Sequence, residues 1–200
     1  MIIFSSYALY KIYAVFIGYF FGCFQSAFRL GKIFKNTDIR KHGSGNAGAT
    51  NMTRVFGKKL GLAVFICDML KSILAYLFCV LLFKDNLAGI YGGLGVILGH
   101  DFPFYLKFHG GKGVAPSMGL ILIYNWKIAL ISYSIGVTFL LFTHKVSVGS
   151  LFGLLTACFC LSILSINEVF VLFFVICLLG FWQHRKNIIR LLNNKEPDIF

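Results

Sequence analysis

Leu60–Phe83, LGLAVFICDMLKSILAYLFCVLLF, is an apolar run in which Asp68 and Lys71 are the only charges. At a rise of about 1.5 Å per helical residue it is long enough for the ~30 Å hydrocarbon core of a bilayer. Each isolated charge would cost about 2.5–3.5 kcal/mol at mid-span, and three-residue spacing puts the two on one helix face. They are expected to pair and to face the bundle interior, as a structural ion pair in preference to a catalytic one.

The rest of the chain has the same character. The hydrophobic fraction is 58% and the mean hydropathy +0.81, above the range of a soluble domain. An all-α integral membrane protein is the fold class these values imply. The net charge of +12 does not point to nucleic acid, because the basic residues sit between apolar spans and not on one soluble face. Anionic lipid or a phosphorylated substrate fits them better. Lys11 alone among basic residues precedes the first apolar run and no A-x-A-like site follows it, so the first span is expected to be retained. Cys23, Cys67, Cys79, Cys158, Cys160 and Cys177 all lie in apolar runs without Cys-x-x-Cys spacing and read as small buried hydrophobes.

Runs broken by charge or turn signals give seven candidate spans: 12–28, 60–83, 87–98, 114–124, 128–142, 148–166 and 169–182. The third and fourth are short and are expected to be tilted or half-spanning. With the N-terminus outside and the C-terminus cytoplasmic, the external segments hold only Lys11, Lys84 and Lys127, while every loop cation besides these falls inside. Gly89 with Gly93, and Gly95 with Gly99, are spaced for close helix approach. No internal repeat or linker interrupts the chain, so residues 1–200 are expected to form a single polytopic membrane domain.

Three polar segments fall at breaks between apolar runs, where backbone leaves a helix only beside a cavity or water. The same charge asymmetry puts all three on the cytoplasmic side. In the first, Gly43-Ser44-Gly45-Asn46-Ala47-Gly48-Ala49-Thr50-Asn51, glycines let backbone N–H groups converge on an anion and Ser44, Asn46, Thr50 and Asn51 add neutral donors. Thr50 or Asn51 is also a candidate cap for the following helix, and Arg54 stands three residues on. The second, Gly110-Gly111-Lys112-Gly113, is not a Walker loop: no glycine stands five positions before Gly111, and Gly113 replaces the hydroxyl residue that would hold magnesium. What remains is a backbone nest with one point cation, suited to phosphate. In the third, His184 and Asn187 share a helix face while Arg185 projects elsewhere, although a basic juxtamembrane stretch is also explained by anionic lipid. Ser147 and Ser150 open the sixth span, where capping is the plain alternative to a site role. His42, His100 and His109 lie near the loops, but a lone histidine is weak evidence for catalysis.

With these residues assembled, the chain resembles the bacterial acyl-phosphate:glycerol-3-phosphate acyltransferase family, the PlsY type. The resemblance runs from about Ile39 to Glu196. It rests on Gly43 to Asn51 with Arg54, on Gly99-His100-x-Phe102-Pro103 leading to Gly110-Gly111-Lys112-Gly113-Val114, and on His184-Arg185-x-Asn187-Ile188-x-Arg190-Leu191. It implies a seven-span enzyme of the bacterial cell membrane. Such an enzyme moves a fatty acyl group from acyl phosphate to the 1-hydroxyl of glycerol 3-phosphate, giving lysophosphatidic acid and phosphate. Lys112, Ser44, His184 and Asn187 take the catalytic positions, with Arg54 and Ser150, or its rival Ser147, binding substrate. Gly43, Gly45, Asn46, Gly48, Thr50, Asn51, Gly110, Gly111 and Gly113 would line the phosphate-binding loops. Acyl phosphate, glycerol 3-phosphate and membrane lipids are the implied partners; no nucleic acid, metal or cofactor is expected. The chain departs from the family at His144-Lys145, Pro116 and Asn194-Lys195-Glu196. A transporter of organic phosphates would place its cations at mid-membrane with repeat symmetry, and a lipid-binding scaffold would not need the glycine nests.

Overall fold

The computed structural model describes residues 2–164 and 167–199; Ile166, the end of the sixth expected span, lies outside the described residues. All regular structure among them is helical: α1 (Ile2–Cys23), α2 (Ser26–Lys35), α3 (Ala49–Phe56), α4 (Lys58–Phe83), α5 (Asn86–Asp101), α6 (Val114–Tyr124), α7 (Trp126–Thr143), α8 (Val146–Leu164), α9 (Glu168–Gln183) and α10 (Arg185–Leu192).

Each expected apolar run is helical, but the first is not one helix. It breaks after Cys23 because Gln25 turns inward, donating from Nε2 to the carbonyls of His100 at 2.9 Å and of Gly22 and Gly99 at 3.3 Å. Among the described residues, the four stretches long and apolar enough to cross a membrane are Leu9–Lys35, α4, α7 and α8; α9 and α10, bent by 56°, add a fifth if they count as one span. With 16 residues in α5 and 11 in α6, these helices reach only about 24 and 16 Å, short of the hydrocarbon thickness.

The chain divides into two compact units, one up to Leu120 and the other from Ile121. In the first unit α1 and α5 pack backbone to backbone. A Cβ on Gly95 or Gly99 would run into the carbonyl oxygens of Val15 or Tyr19, and one on Gly18 or Gly22 into those of Gly92 or Val96. Small residues permit this approach, and in lipid such van der Waals contact drives association where no hydrophobic force between helices exists. Gly89 faces Tyr76 and Val80 of α4, and Gly93 faces Leu120 of α6. The paired glycines therefore pack as expected, but against different neighbours.

The carbonyls at the end of α1 have no helical successors and are satisfied from elsewhere. Lys71 Nζ donates to Phe24 O at 2.9 Å and Gly22 O at 3.2 Å, and the Tyr105 hydroxyl to Cys23 O at 2.8 Å. Asp68 pairs with Lys71 at 2.9 Å, both side chains being almost wholly buried. In the second unit α7 and α8 pack through Gly136, Gly149 and Gly153, with Phe139 stacked on Phe152 at 3.6 Å, while Gly180 of α9 admits Leu154. All six cysteines are free thiols.

Replacing Gly95 by valine forces α1 away from α5, since the obstacle is backbone that no rotamer can move. A loss of at least ~1–3 kcal/mol is expected, read by chemical unfolding in detergent micelles.

Candidate active site

The first glycine segment is built around Asn51. Gly43 and Gly45 adopt the left-handed conformation, with φ of 58° and 75°, which favours glycine. The turn they make is stapled from beneath by the Asn51 amide, 1% exposed. Its Oδ1 accepts from Ser44 N at 2.9 Å, and its Nδ2 donates to His42 O and Asn46 O, each at 3.0 Å, and to Ile39 O at 3.3 Å. Asn51 was expected to offer a donor to an anion; its donors are spent on the loop's own carbonyls, so it shapes the loop. Nor does Asn51 or Thr50 cap α3. The cap is Gly48, in extended backbone, and both residues lie inside the first turn. Ser44 is exposed at the loop surface, Asn46 is half-buried and Arg54 lies in the last turn of α3.

The second segment is continuous with the first. Ala47 N donates to Gly110 O at 3.3 Å, and Arg40, paired with Asp38 at 2.7 Å, donates from Nη1 to Leu106 O at 3.0 Å and His109 O at 3.3 Å. Both glycine loops of unit 1 are thus joined through backbone. The second folds back on the end of α5, with Gly110 N donating to Asp101 O at 3.1 Å and Gly111 N to His100 O at 2.9 Å. Side chains at Gly110 or Gly111 would strike the His100 carbonyl or ring, and Gly113 takes a φ of 71° beside the buried Asp101 carboxylate. Lys112 sits between them, half-buried. The Arg40 guanidinium holds the Asp38 carboxyl below the usual carboxylate range.

In unit 2 the polar residues converge on Glu196, whose side chain is 1% exposed. Its Oε1 accepts from Asn187 Nδ2 at 2.6 Å and Ser147 Oγ at 2.8 Å, and its Oε2 from Arg190 Nε at 2.7 Å. This strap is clipped on both sides, by Lys195 N to Arg190 O at 2.7 Å and by Ile199 N to His144 O at 2.9 Å. His184 is the joint between α9 and α10, and its Nδ1 is 2.7 Å from Gly180 O. A carbonyl only accepts, so Nδ1 carries the proton and Nε2 is the ring's acceptor in the neutral form. Neither serine hydroxyl caps α8: Ser147 donates to Glu196, and Ser150 donates to Val146 O at 2.9 Å. Of the two, the structure joins Ser147 to Asn187.

Sequence reasoning named Glu196 only as the end of the family resemblance and gave it no role, passed over Gln25, and treated Arg40 only as a positive-inside charge. The available signals were an acid within a basic terminal run and a glutamine at the edge of an apolar one.

Burial raises the Glu196 carboxyl pKa, but the hydrogen bonds from Asn187, Arg190 and Ser147 and the Arg190 charge together outweigh it, leaving a net lowering. Its stabilisation is therefore present above the unfolded carboxyl value of about 4.3 and is lost as pH falls through the lower folded value. Protection of α10 amides, taken relative to the intrinsic exchange rate at each pH, should fall on acidification below about pH 4. In Glu196→Gln it should already be low at pH 7, with no comparable acid limb.

The chain matches the family model described as glycerol-3-phosphate acyltransferase over residues 12–194. A glycerol-3-phosphate acyltransferase of Thermoanaerobacter sp. (strain X514) is 39% identical over 192 residues, covering 96% of each chain. One of Macrococcus caseolyticus (strain JCSC5402) is 40% identical over 185 residues, covering 92% of this chain and 94% of that protein. The crystal structure of PlsY, an integral membrane glycerol 3-phosphate acyltransferase, superposes in its glycerol 3-phosphate form with a TM-score of 0.87. It is 34% identical, with 94% of each chain covered. Its lysophosphatidic acid form gives a TM-score of 0.84 at 33% identity. The chain belongs to the glycerol-3-phosphate acyltransferase family and is an integral membrane acyltransferase of the PlsY type.

Proposed function

We propose that this chain transfers a fatty acyl group from acyl phosphate to the 1-hydroxyl of glycerol 3-phosphate, releasing lysophosphatidic acid and phosphate at the cytoplasmic face of the membrane. The observation that carries the reading is the Ala47-to-Gly110 backbone bond, which joins two glycine loops, with Lys112 within the second and Arg54 on the helix that follows the first. Two anionic substrates need such a surface, and the related PlsY crystal forms contain one phosphorylated substrate and one phosphorylated product by name.

Acyl phosphate is a mixed anhydride whose phosphate is already a good leaving group. The attacking hydroxyl forms the new C–O bond, the acyl–phosphate C–O bond breaks, and the hydroxyl proton passes to phosphate. The protein then has mainly to position the reactants and stabilise charge. No covalent enzyme intermediate is needed. No histidine in the chain has an aspartate five residues on, so proton removal is assigned to substrate phosphate. On unit 1, Lys112 is the point cation for the phosphate that leaves, Ser44 and the loop N–H groups are neutral donors, and the Arg54 fork suits bidentate capture of glycerol 3-phosphate. Roles on unit 2 are assigned separately. His184 and Asn187 contact the reacting groups, and Ser147, held with Asn187 on Glu196, is preferred to Ser150 as the serine that serves substrate. Residues 1–200 act as one polytopic membrane domain.

The test is formation of lysophosphatidic acid by the purified chain from acyl phosphate and glycerol 3-phosphate, which neither a transporter nor a scaffold would give. Lys112→Ala should retain the fold and lose about two to three powers of ten in rate, the scale for one preorganised charged donor. Full activity in a well-folded variant removes Lys112 from the mechanism.

The positive-inside asymmetry supports an outside N-terminus and a cytoplasmic C-terminus. A cysteine introduced at Lys41 or Lys186 should be shielded from an impermeant thiol reagent in intact cells, and one at Asn86 labelled. The reverse pattern overturns the orientation.

A further inference from the structure

α10 has two faces, and the polar cluster of unit 2 uses only one of them. His184 at its start and Asn187 within it turn inward, 3% and 5% exposed, toward the end of α9 and toward Glu196. On the opposite side stand Arg185, Lys186, Ile189 and Leu192, all exposed. Positions 185, 189 and 192 follow the i, i+4, i+7 spacing of one helical stripe, with Lys186 beside it. Ile189 is 59% exposed and Leu192 80%. Apolar side chains this open need a cover, and the cover must also accept two cations. The two acids of the segment after α10 are engaged elsewhere, Glu196 by the inward face and Asp198 by Lys145 at 2.7 Å. The negative charge that complements Arg185 and Lys186 therefore comes from outside the segment.

The bend at His184 indicates where this face lies. α9 has 16 residues and so spans about 24 Å, which brings its end close to the edge of a ~30 Å hydrocarbon core. There the chain turns by 56°, more than halfway from the α9 axis toward the perpendicular. Trp182, 60% exposed in the last turn of α9, is a residue type that gathers at the boundary between acyl chains and headgroups. Arg185 folds back onto it: the guanidinium carbon is 4.8 Å from the indole centroid, and Nη1 donates to Trp182 O at 2.9 Å. Its stem thus follows apolar surface while its charge stands at the end of the span. A helix surface of this composition seats its apolar side chains among acyl chains and its cations on anionic headgroups.

We infer that Trp182, Arg185, Lys186, Ile189 and Leu192 form a seat for anionic phospholipid, and that the bilayer thereby steadies the helix whose inward face carries Asn187. The lipid bears on α10 from behind and touches no reacting group. The inference concerns the membrane and stands apart from the substrate roles proposed above.

The experiment uses the full chain carrying Trp126→Phe, which leaves Trp182 as its one tryptophan. It is placed in nanodiscs of phosphatidylcholine that contain brominated phosphatidylglycerol or, at equal fraction, brominated phosphatidylcholine. Bromine quenches a tryptophan that it touches, so the two lipids compete at the face being tested. Phosphatidylglycerol should be preferred at Trp182 about fivefold or more, the scale of one basic residue at an anionic surface. Arg185→Gln with Lys186→Gln should bring the two lipids to within about twofold of each other. Raising the salt should narrow the preference of the unsubstituted face in the same direction, a check that needs no change at the face. Amides of α10 should also be better protected from hydrogen exchange in discs with phosphatidylglycerol than in phosphatidylcholine alone, and the double variant should lose that gain. Bilayer charge alters the local pH for both proteins alike, so the difference between them is the readout. Equal quenching by the two lipids overturns the inference, as does a gain in protection that the double variant keeps. Weak quenching by both lipids in discs that carry two chains assigns the face to a second copy and overturns it too.

Discussion

A helix that ends inside a membrane protein leaves carbonyl groups which water cannot reach, each costing several kcal/mol if unbonded. Much of unit 1 is organised by this constraint at the end of α1. Lys71, Gln25 and Tyr105 each send a donor to it from a different part of the chain. A lysine is an expensive way to satisfy carbonyls, because its charge needs Asp68 beside it. Once the pair is buried, however, it supplies a rigid donor that orients His100. Backbone satisfaction, charge burial and loop shape are thereby one network, and removing any member leaves another exposed to the same penalty.

Each unit also contains a buried side chain that binds a whole segment. Asn51 gathers the carbonyls of residues 39, 42 and 46 and the amide of residue 44 into a turn; Glu196 gathers Ser147, Asn187 and Arg190. An amide carries donors and an acceptor and so can staple a loop of backbone groups of both kinds, whereas a carboxylate accepts only and so collects donors. The choice of residue follows from what surrounds it. Asn51 is more deeply buried than the loop it shapes, where Ser44 is exposed, whereas Ser147 and Asn187 are as buried as the Glu196 that gathers them.

Some of this was legible in the chain. The long apolar runs, the pairing of Asp68 with Lys71 and the role of the helix glycines follow from spacing and from the cost of burying charge and backbone, and the structure shows the pair and the close approaches. The staple made by Asn51 was not legible, because its position in a glycine-rich segment says that it is polar and near a turn, but not which way its amide points. Glu196 was named only as the end of the family resemblance, without a role, for a related reason. Its importance comes from Ser147, 49 residues away, and nothing local announces that partner. The first apolar run looked continuous because Gln25 interrupts it by a contact with α5 and not by a helix-breaking residue.

Composition, hydrophobic period and motif order determined the membrane class, the helical content and the family, because these depend on properties that each segment carries by itself. Only the tertiary structure decided that Asn51 staples its own loop, that Ser147 and not Ser150 shares a carboxylate with Asn187, and that His100 leans on Gly111. Hydrogen bonds are short and directional, so the use of a polar side chain is settled by which distant group lies within about 3 Å of it. That distance is fixed by how the helices pack and not by neighbours along the chain.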